Sequence, residues 1–314
     1  MQTRPPFIEP LAHDVYVIDT GFVRPRFDAS HLIVERGRAA FVDTGTNHAV
    51  PRLLQALDSL GLARDAVDFV IATHVHLDHA GGAGALLQHL PQARLVVHRL
   101  GTRHLVDPSR LMASARAVYG DAEVAHSYGE LVGVPPGRVL ETHHAMVLDL
   151  AGRALQFIDT PGHARHHHCI WDERSRGMFT GDTFGVAYPE LTSERGRWLI
   201  PATPPTQFDP DALRSSVQRI LGFRPERVYL THYGEVTPVA QLGATFLARL
   251  EQIVALGERL RSHPHRVDAL RHGLADLYRG WLREHRCVLA EPDAIELLRV
   301  DLDLNAQGMH QWLA

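Results

Sequence analysis

The chain has 314 residues, 45% of them hydrophobic and 22% charged, with a formal net charge of −4. That is enough chain for one large domain with a substantial core, and the charge balance supplies no basic surface of the kind nucleic acid requires. No apolar run approaches the roughly 20 residues of a membrane helix, and Met1 to Pro10 contain no apolar signal core, so the expected location is cytoplasmic.

The first half alternates short strand-like runs with helical stretches. Val15 to Asp19, His31 to Glu35 and Ala39 to Asp43 read as strands, the last two joined by the turn E-R-G-R. Asn47 to Leu60 has helical spacing and stops at Gly61. Asp68 to Thr73 is a compact apolar strand, Gly81 to Leu90 a helix closed by Pro91, and Arg94 to His98 another buried strand. After a helical or loop stretch from about 100 to 135, strands resume at Val147 to Leu150, Ala154 to Ile158, Cys169 to Asp172, Gly177 to Thr180 and Arg227 to Leu230. Asp209 to Leu221 is an amphipathic helix, and everything beyond about Thr237 is helical. Hairpins in both halves favour two sheets with helices outside them over one doubly wound parallel sheet.

Two cysteines, Cys169 and Cys287, leave little room for a disulfide framework or a thiolate metal site. The unusual count is 22 histidines. Several, such as His89, His263 and His272, read as polar surface, but Ile71 to Gly82 reads I-A-T-H-V-H-L-D-H-A-G-G and packs three histidines and an aspartate into six positions. If Thr73 to Asp78 stays extended, the side chains of His74, His76 and Asp78 share one side of the strand. His79 follows at a bend that Gly81 and Gly82 permit. Adjacent residues diverge, so one cation cannot use all four groups, whereas two neighbouring cations can share them. Three further candidates follow apolar strands at a distance: His163 in T-P-G-H, Asp182 in T-G-D and His232 in L-T-H. Loop positions at strand ends are where a rigid scaffold carries active-site groups.

Together these residues resemble the metallo-β-lactamase-fold hydrolase superfamily, whose signature H-x-H-x-D-H is followed at long range by His, Asp and His. The resemblance covers roughly residues 10–235 and implies an α+β fold, a four-layer αββα sandwich with the site at one sheet edge. Residues 1–236 are then the catalytic domain and 237–314 a helical C-terminal extension, which can cover the sandwich, narrow the pocket or form a homodimer contact. By resemblance His74, His76 and His163 hold one metal, Asp78, His79 and His232 a second, and Asp182 bridges them. Asp43, in F-V-D-T-G-T, is the supporting carboxylate, with an Asx turn onto Gly45 as the alternative. Imidazole and carboxylate ligands suit two divalent ions, zinc first, with iron or manganese open. Such pairs sit roughly 3.5–4 Å apart and lower the pKa of water from about 15.7 to about 7.

The expected activity is cleavage of a small ester, thioester or lactone by metal-activated water, with Asp78 and Tyr188 as catalytic side chains; Tyr188 is the candidate hydrogen-bond donor to an oxyanion. The partner is a small-molecule substrate, with no nucleic acid and no membrane. The alternatives on the same fold are an iron redox enzyme of the persulfide dioxygenase type and a phosphodiesterase or ribonuclease. Outside catalysis, the alternative is a metal-binding scaffold. Glyoxalase-type thioesterases carry G-C-G-R after the bridging aspartate; here the run is G-D-T-F-G-V-A-Y. His166 reads as polar loop, while His167 and His168 divide evenly between loop and site. Arg195 and Arg197 read as solvated loop, with contact to an anionic substrate as the alternative.

Overall fold

A computed structural model describes residues 4–314. The first sheet has seven strands, arranged in chain order: β1 (Ile8–Pro10), β2 (Val15–Asp19), β3 (Ala29–Glu35), β4 (Arg38–Val42), β5 (Val67–Ala72), β6 (Arg94–His98) and β7 (Val139–Thr142). β1 to β4 pair antiparallel, and β4 to β7 run parallel. The second sheet has β8 (Val147–Leu150), β9 (Arg153–Asp159), β10 (His168–Asp172), β11 (Gly177–Gly181), β12 (Arg227–Leu230) and β13 (Gly234–Val236), ordered β13-β12-β11-β10-β9-β8.

Helices fill the connections and the C-terminus. They are α1 (Val50–Ser59), α2 (Leu77–Ala80), α3 (Ala83–His89), α4 (Thr102–Val106), α5 (Ser109–Tyr119), α6 (Asp121–Ser127), α7 (Pro210–Gly222), α8 (Val239–Leu260), α9 (Arg266–Glu284), α10 (Glu291–Leu297) and α11 (Arg299–Trp312). Three of the four edge strands, β1, β7 and β13, are absent from the sequence reading. They are three or four residues long, and β1 ends in a proline, so no alternation has room to develop.

The inner strands are apolar on consecutive positions because both of their faces are buried. In β4, Ala40 and Val42 face the second sheet, while Ala39 and Phe41 face the layer of α1 and α3. In β12, Tyr229 joins the inter-sheet core, and Val228 and Leu230 join the layer of α7 and α8. Stacked cores of this kind produce the αββα sandwich expected from the sequence.

α8 is 22 residues long, with a mean hydropathy of 1.2 over its best window, long and apolar enough to cross a membrane by composition alone. Its apolar face is spent on the protein: Phe246, Leu250 and Ile253 are fully buried against the second sheet and the later helices. α9 to α11 form a further core with the loop that follows β11, through Tyr188, Trp198, Tyr278, Leu302 and Met309. Asn305 of α11 locks this contact. Its Oδ1 accepts from Thr203 N at 2.6 Å and from Thr203 Oγ1 at 3.1 Å. Its Nδ2 donates to Tyr278 Oη at 2.7 Å and to Pro201 O at 3.1 Å.

Two predictions follow from this packing. Asn305→Ala strands several buried polar groups and is expected to lower stability by about 2–3 kcal/mol, read from the denaturant midpoint; an unchanged midpoint would contradict the locking role. His31, buried between Phe179 and Tyr229, is pushed down by burial from 6.5 to about 4. Burial likewise pushes His168 to about 3. The unfolded chain binds more protons across that interval, so the stability these rings supply is complete above pH 6.5 and drains away as pH falls below it. The denaturant midpoint should therefore drop between pH 7 and pH 5, and His31→Phe should flatten part of the drop.

Candidate metal centre

The chain leaves β5 at Ala72, and the H-x-H-x-D-H run does not remain extended. His76 is the last extended residue (ψ 152°), and α2 begins at Leu77 because the His76 carbonyl accepts from the amides of His79 and Ala80. The one-sided arrangement expected for Thr73 to Asp78 is therefore corrected: a helical turn, not strand alternation, carries Asp78 and His79. The glycine pair also serves another purpose than a special turn, since Gly81 and Gly82 have ordinary helical φ. A Cβ on Gly82 would lie 2.9 Å from Thr46 O, so glycine lets the loop after β4 close onto this turn. Gly181 (φ 45°) does the same beside Asp182, where a Cβ would meet Thr73 Oγ1 at 2.6 Å and His167 Nε2 at 2.7 Å.

All seven predicted residues converge on the same edge of the sandwich. His74 Nε2 lies 2.8 Å from His76 Nδ1, which lies 3.1 Å from His163 Nε2. His232 Nε2 lies 3.4 Å from Asp78 Oδ2, which is 3.7 Å from His79 Nε2. Asp182 stands between the two trios. Its Oδ2 is 3.4 Å from His163 Nε2, and its Oδ1 is 3.2 Å from His79 Nε2 and 3.7 Å from His232 Nε2. Three groups, His74-His76-His163, His74-His79-Asp182 and Asp78-His79-His232, have their ligand atoms close enough to hold an ion. A tetrahedral site with bonds of about 2.0–2.1 Å separates its ligand atoms by roughly 3.3 Å, which the observed spacings approach.

Outer hydrogen bonds leave the inner nitrogens free. His79 Nδ1 donates to Asp43 Oδ2 at 2.8 Å, and His232 Nδ1 donates to Phe27 O at 2.8 Å. His74 Nδ1 lies 3.1 Å from Thr73 Oγ1. A bond of this kind sets the tautomer so that the other nitrogen faces the centre. His79 Nε2 and Asp182 Oδ1 are buried and have no hydrogen-bond partner, as ligand atoms do. Asp43 does not spend its carboxylate on Gly45. It accepts from Thr73 N (2.8 Å), Thr231 Oγ1 (2.8 Å) and Thr73 Oγ1, besides His79.

Burial and charge divide the ligand set. Burial, reinforced by neighbouring imidazoles, holds His74 well below 6.5 and pulls His76 to about 3. Burial also lowers His163, against the pull of Asp182. At His232 burial is outweighed by Asp182, Asp78 and Asp28, and the ring rises to about 10. His79 rises for the same reason, beside Asp182, Asp78 and Asp43. Asp182 and Asp78 stay ionised because adjacent imidazoles overcome the cost of burial. One trio is thus neutral, and the other holds protons that a cation would displace.

Other expectations fare differently. His166 is buried, its ring 5.9 Å from His76 and 6.3 Å from His74, so it lines the cluster instead of sitting in solvent. His167 stacks on His74 at 4.9 Å, with its Nδ1 2.9 Å from Thr160 Oγ1. His168 turns away to Thr142 Oγ1 at 2.7 Å. Tyr188 is buried on Phe27 at 5.2 Å, and its hydroxyl donates to Asp301 Oδ1 at 3.1 Å, so that hydrogen already has an acceptor that α11 supplies. Asp28 was missed altogether. It is fully buried, accepts from Thr20 Oγ1 at 2.7 Å, and rises to about 7 because burial outweighs the attraction of His232 and His79. Nothing in F-D-A-S marks it, because its role comes from spatial neighbours.

The profile of the metallo-beta-lactamase superfamily matches residues 23–232, two thirds of the chain. The chain belongs to the metallo-beta-lactamase superfamily. The fold-containing protein ST1585 from Sulfurisphaera tokodaii is 32% identical over 178 residues, which are 55% of this chain and 63% of that protein. The crystal structure of ST1585 overlaps with a TM-score of 0.67 at 23% identity, covering 96% of this chain and 100% of the other. That overlap extends over most of α8 to α11, so the C-terminal helices are part of a shared fold. A hydroxyacylglutathione hydrolase from Xanthomonas campestris is 29% identical over 188 residues, 59% of this chain and 55% of that protein. The chain thus spans somewhat over half the length of these sequence relatives.

For this superfamily member, Asp43→Asn keeps the shape of the support but changes its hydrogen-bonding to His79. The expected outcome is a loss of metal affinity of about 10–100-fold, measured by competition with a chromogenic chelator. Wild-type affinity in the folded variant would show that Asp43 does not orient the ring.

Proposed function

We propose that the protein is a binuclear metal-dependent hydrolase acting on a small ester, thioester or lactone. The observation that carries the proposal is Asp182, whose two oxygens face different histidine groups, Oδ2 toward His163 and Oδ1 toward His79 and His232. A carboxylate divided in this way serves two neighbouring cations, and a single structural ion has no use for it. A bound pair of divalent ions would supply water made acidic at neutral pH and polarisation of the scissile carbonyl.

His74, His76 and His163 would hold one ion, and Asp78, His79 and His232 the other. The remaining chemistry belongs to the chain. Asp78 turns Oδ2 toward His79 and His232, and with 25% of its side chain open it is more exposed than Asp182 at 8%. That leaves Asp78 Oδ1 to accept the proton that water gives up. Asp43, Phe27 O and Thr73 keep the rings in register, so little reorganisation accompanies reaction. Tyr188 can turn to a developing oxyanion only by releasing Asp301. Similarity to hydroxyacylglutathione hydrolases supports a thioester within the substrate class, while G-D-T-F-G-V-A-Y in place of G-C-G-R argues against a glutathione thioester. The acidic balance of the chain argues against a ribonuclease.

The test pairs metal analysis of the purified protein with a hydrolysis screen over lactones, thioesters, phosphodiesters and β-lactams. About two zinc ions per chain with turnover of a lactone, ester or thioester is the expected result, and Asp182→Ala should lose about 100-fold or more in kcat/KM together with metal. One iron per chain with oxygen consumption on a persulfide would replace the proposal with the redox alternative.

A further inference from the structure

The loop after β11 carries a second polar concavity that contains none of the seven residues above. Val186 and Ile200 pair across the base of this loop, and Ser193 pairs with Gly196 at its tip. The tip is pinned to the end of α9, where Ser193 Oγ donates to His285 O at 2.6 Å and His285 Nε2 lies 3.0 Å from Gly196 O. Between this hairpin and α8 lies a cavity of about 210 Å³.

Three arginines line this cavity: Arg195 and Arg197 from the hairpin and Arg249 from α8. Glu284 is the one carboxylate in its lining, and among the described residues no carboxylate comes within ion-pair distance of any of the three arginines. Arg249 is buried with its guanidinium 5.0 Å from the ring of Trp198 and 4.9 Å from that of Trp281, and it donates to Leu199 O. Arg197 is half-buried, and its Nη1 is shielded from solvent with no hydrogen-bond partner. Burial lowers Arg249 to about 10, against the pull of the Glu284 carboxylate, so it stays charged at neutral pH. Burial and the nearby Arg26 lower Arg197, with Glu9 and Glu190 opposing at longer range. Three arginines against the single carboxylate of Glu284, with a buried donor left unmatched, leave an excess of positive charge whose cost an anion would recover. Thr237, Gln241 and Thr245 add neutral donors to the same wall.

We propose that this cavity is a binding site for a phosphoryl group, as inorganic phosphate or as the phosphate of a small monoester. A phosphoryl group offers several oxygens at tetrahedral angles, which suits donors from Arg195 and Arg197 on the hairpin together with the charge of Arg249 on α8 better than a planar carboxylate does. Pro238 and Leu242 form the apolar part of the wall, where the carbon portion of a monoester would lie.

The inference is independent of the proposed hydrolase activity, and calorimetry on the metal-loaded full chain tests it. Inorganic phosphate, glycerol phosphate and acetate are titrated at constant ionic strength set with sodium chloride. The expected result is saturable binding of one phosphate or one monoester per chain, with acetate weaker. Arg197→Gln and the exposed Arg195→Gln should each weaken phosphate by about tenfold or more, the size of one charge-assisted hydrogen bond. His76→Ala, which disturbs the candidate metal centre, should leave phosphate affinity within about twofold. Tighter binding of the monoester assigns the apolar wall a role, and tighter binding of free phosphate assigns the ion alone; either order supports the site. The proposal is overturned if wild-type protein takes up no phosphate, if both arginine variants bind like wild type, if acetate matches phosphate, or if His76→Ala abolishes binding and so places the anion on the metals.

Discussion

One buried carboxylate ties the two sheets to the metal edge. Asp43, fully buried at the end of β4, accepts from the Thr73 amide and hydroxyl beyond β5, from His79 on α2, and from Thr231 beyond β12. An ionised group taken out of water is tolerated only when its lone pairs are matched, so its donors must stay where they are. Through them, the first sheet, the second sheet and the H-x-H-x-D-H turn are held in one register. The tight approach at Gly82 and Gly181 belongs to the same constraint, because a side chain at either place would push these partners apart.

Around that anchor, histidine is used for two opposite purposes. His31, His167 and His168 are neutral rings packed among aromatic and hydroxyl groups, and burial keeps them uncharged. His79 and His232 lie as deep, but carboxylates on several sides draw protons to them. The same side chain at similar depth thus takes either charge state according to whether an aspartate lies nearby. The arrangement concentrates charge in the few ångströms where cations would be held and keeps it out of the inter-sheet core.

The C-terminal helices belong to this organisation. α8 completes the outer layer over the second sheet, and α11 inserts Asn305 and Asp301 beside the loop that follows Asp182. Tyr188, at the root of that loop, joins the metal edge to α11 through Phe27 and Asp301. The loop therefore has structured packing on both of its faces, and Arg197 is half-buried there while Arg195 stays exposed, as the solvated-loop reading expected.

Local pattern was enough to read the inner strands, α7 and the seven converging residues, because apolar runs that end in His or Asp are a short-range signal. Three of the four sheet edges were not legible: β1 and β13 are only three residues long, and β7 pairs with a strand far earlier in the chain, whereas the fourth edge, β8, shows in the pattern. The turn at Leu77 was hidden for a related reason, since H-V-H-L-D-H alternates like a strand while its backbone closes on the His76 carbonyl. His166 and Asp28 acquire their surroundings only when distant segments meet. By itself, then, the sequence determined the kinds of group available at one sheet edge and the family they belong to, because ligand chemistry is written in residue type and spacing. Tertiary structure alone decided which nitrogen faces inward, which ring is charged, and where three arginines with no carboxylate partner come together, because each depends on burial and on neighbours that no local window contains.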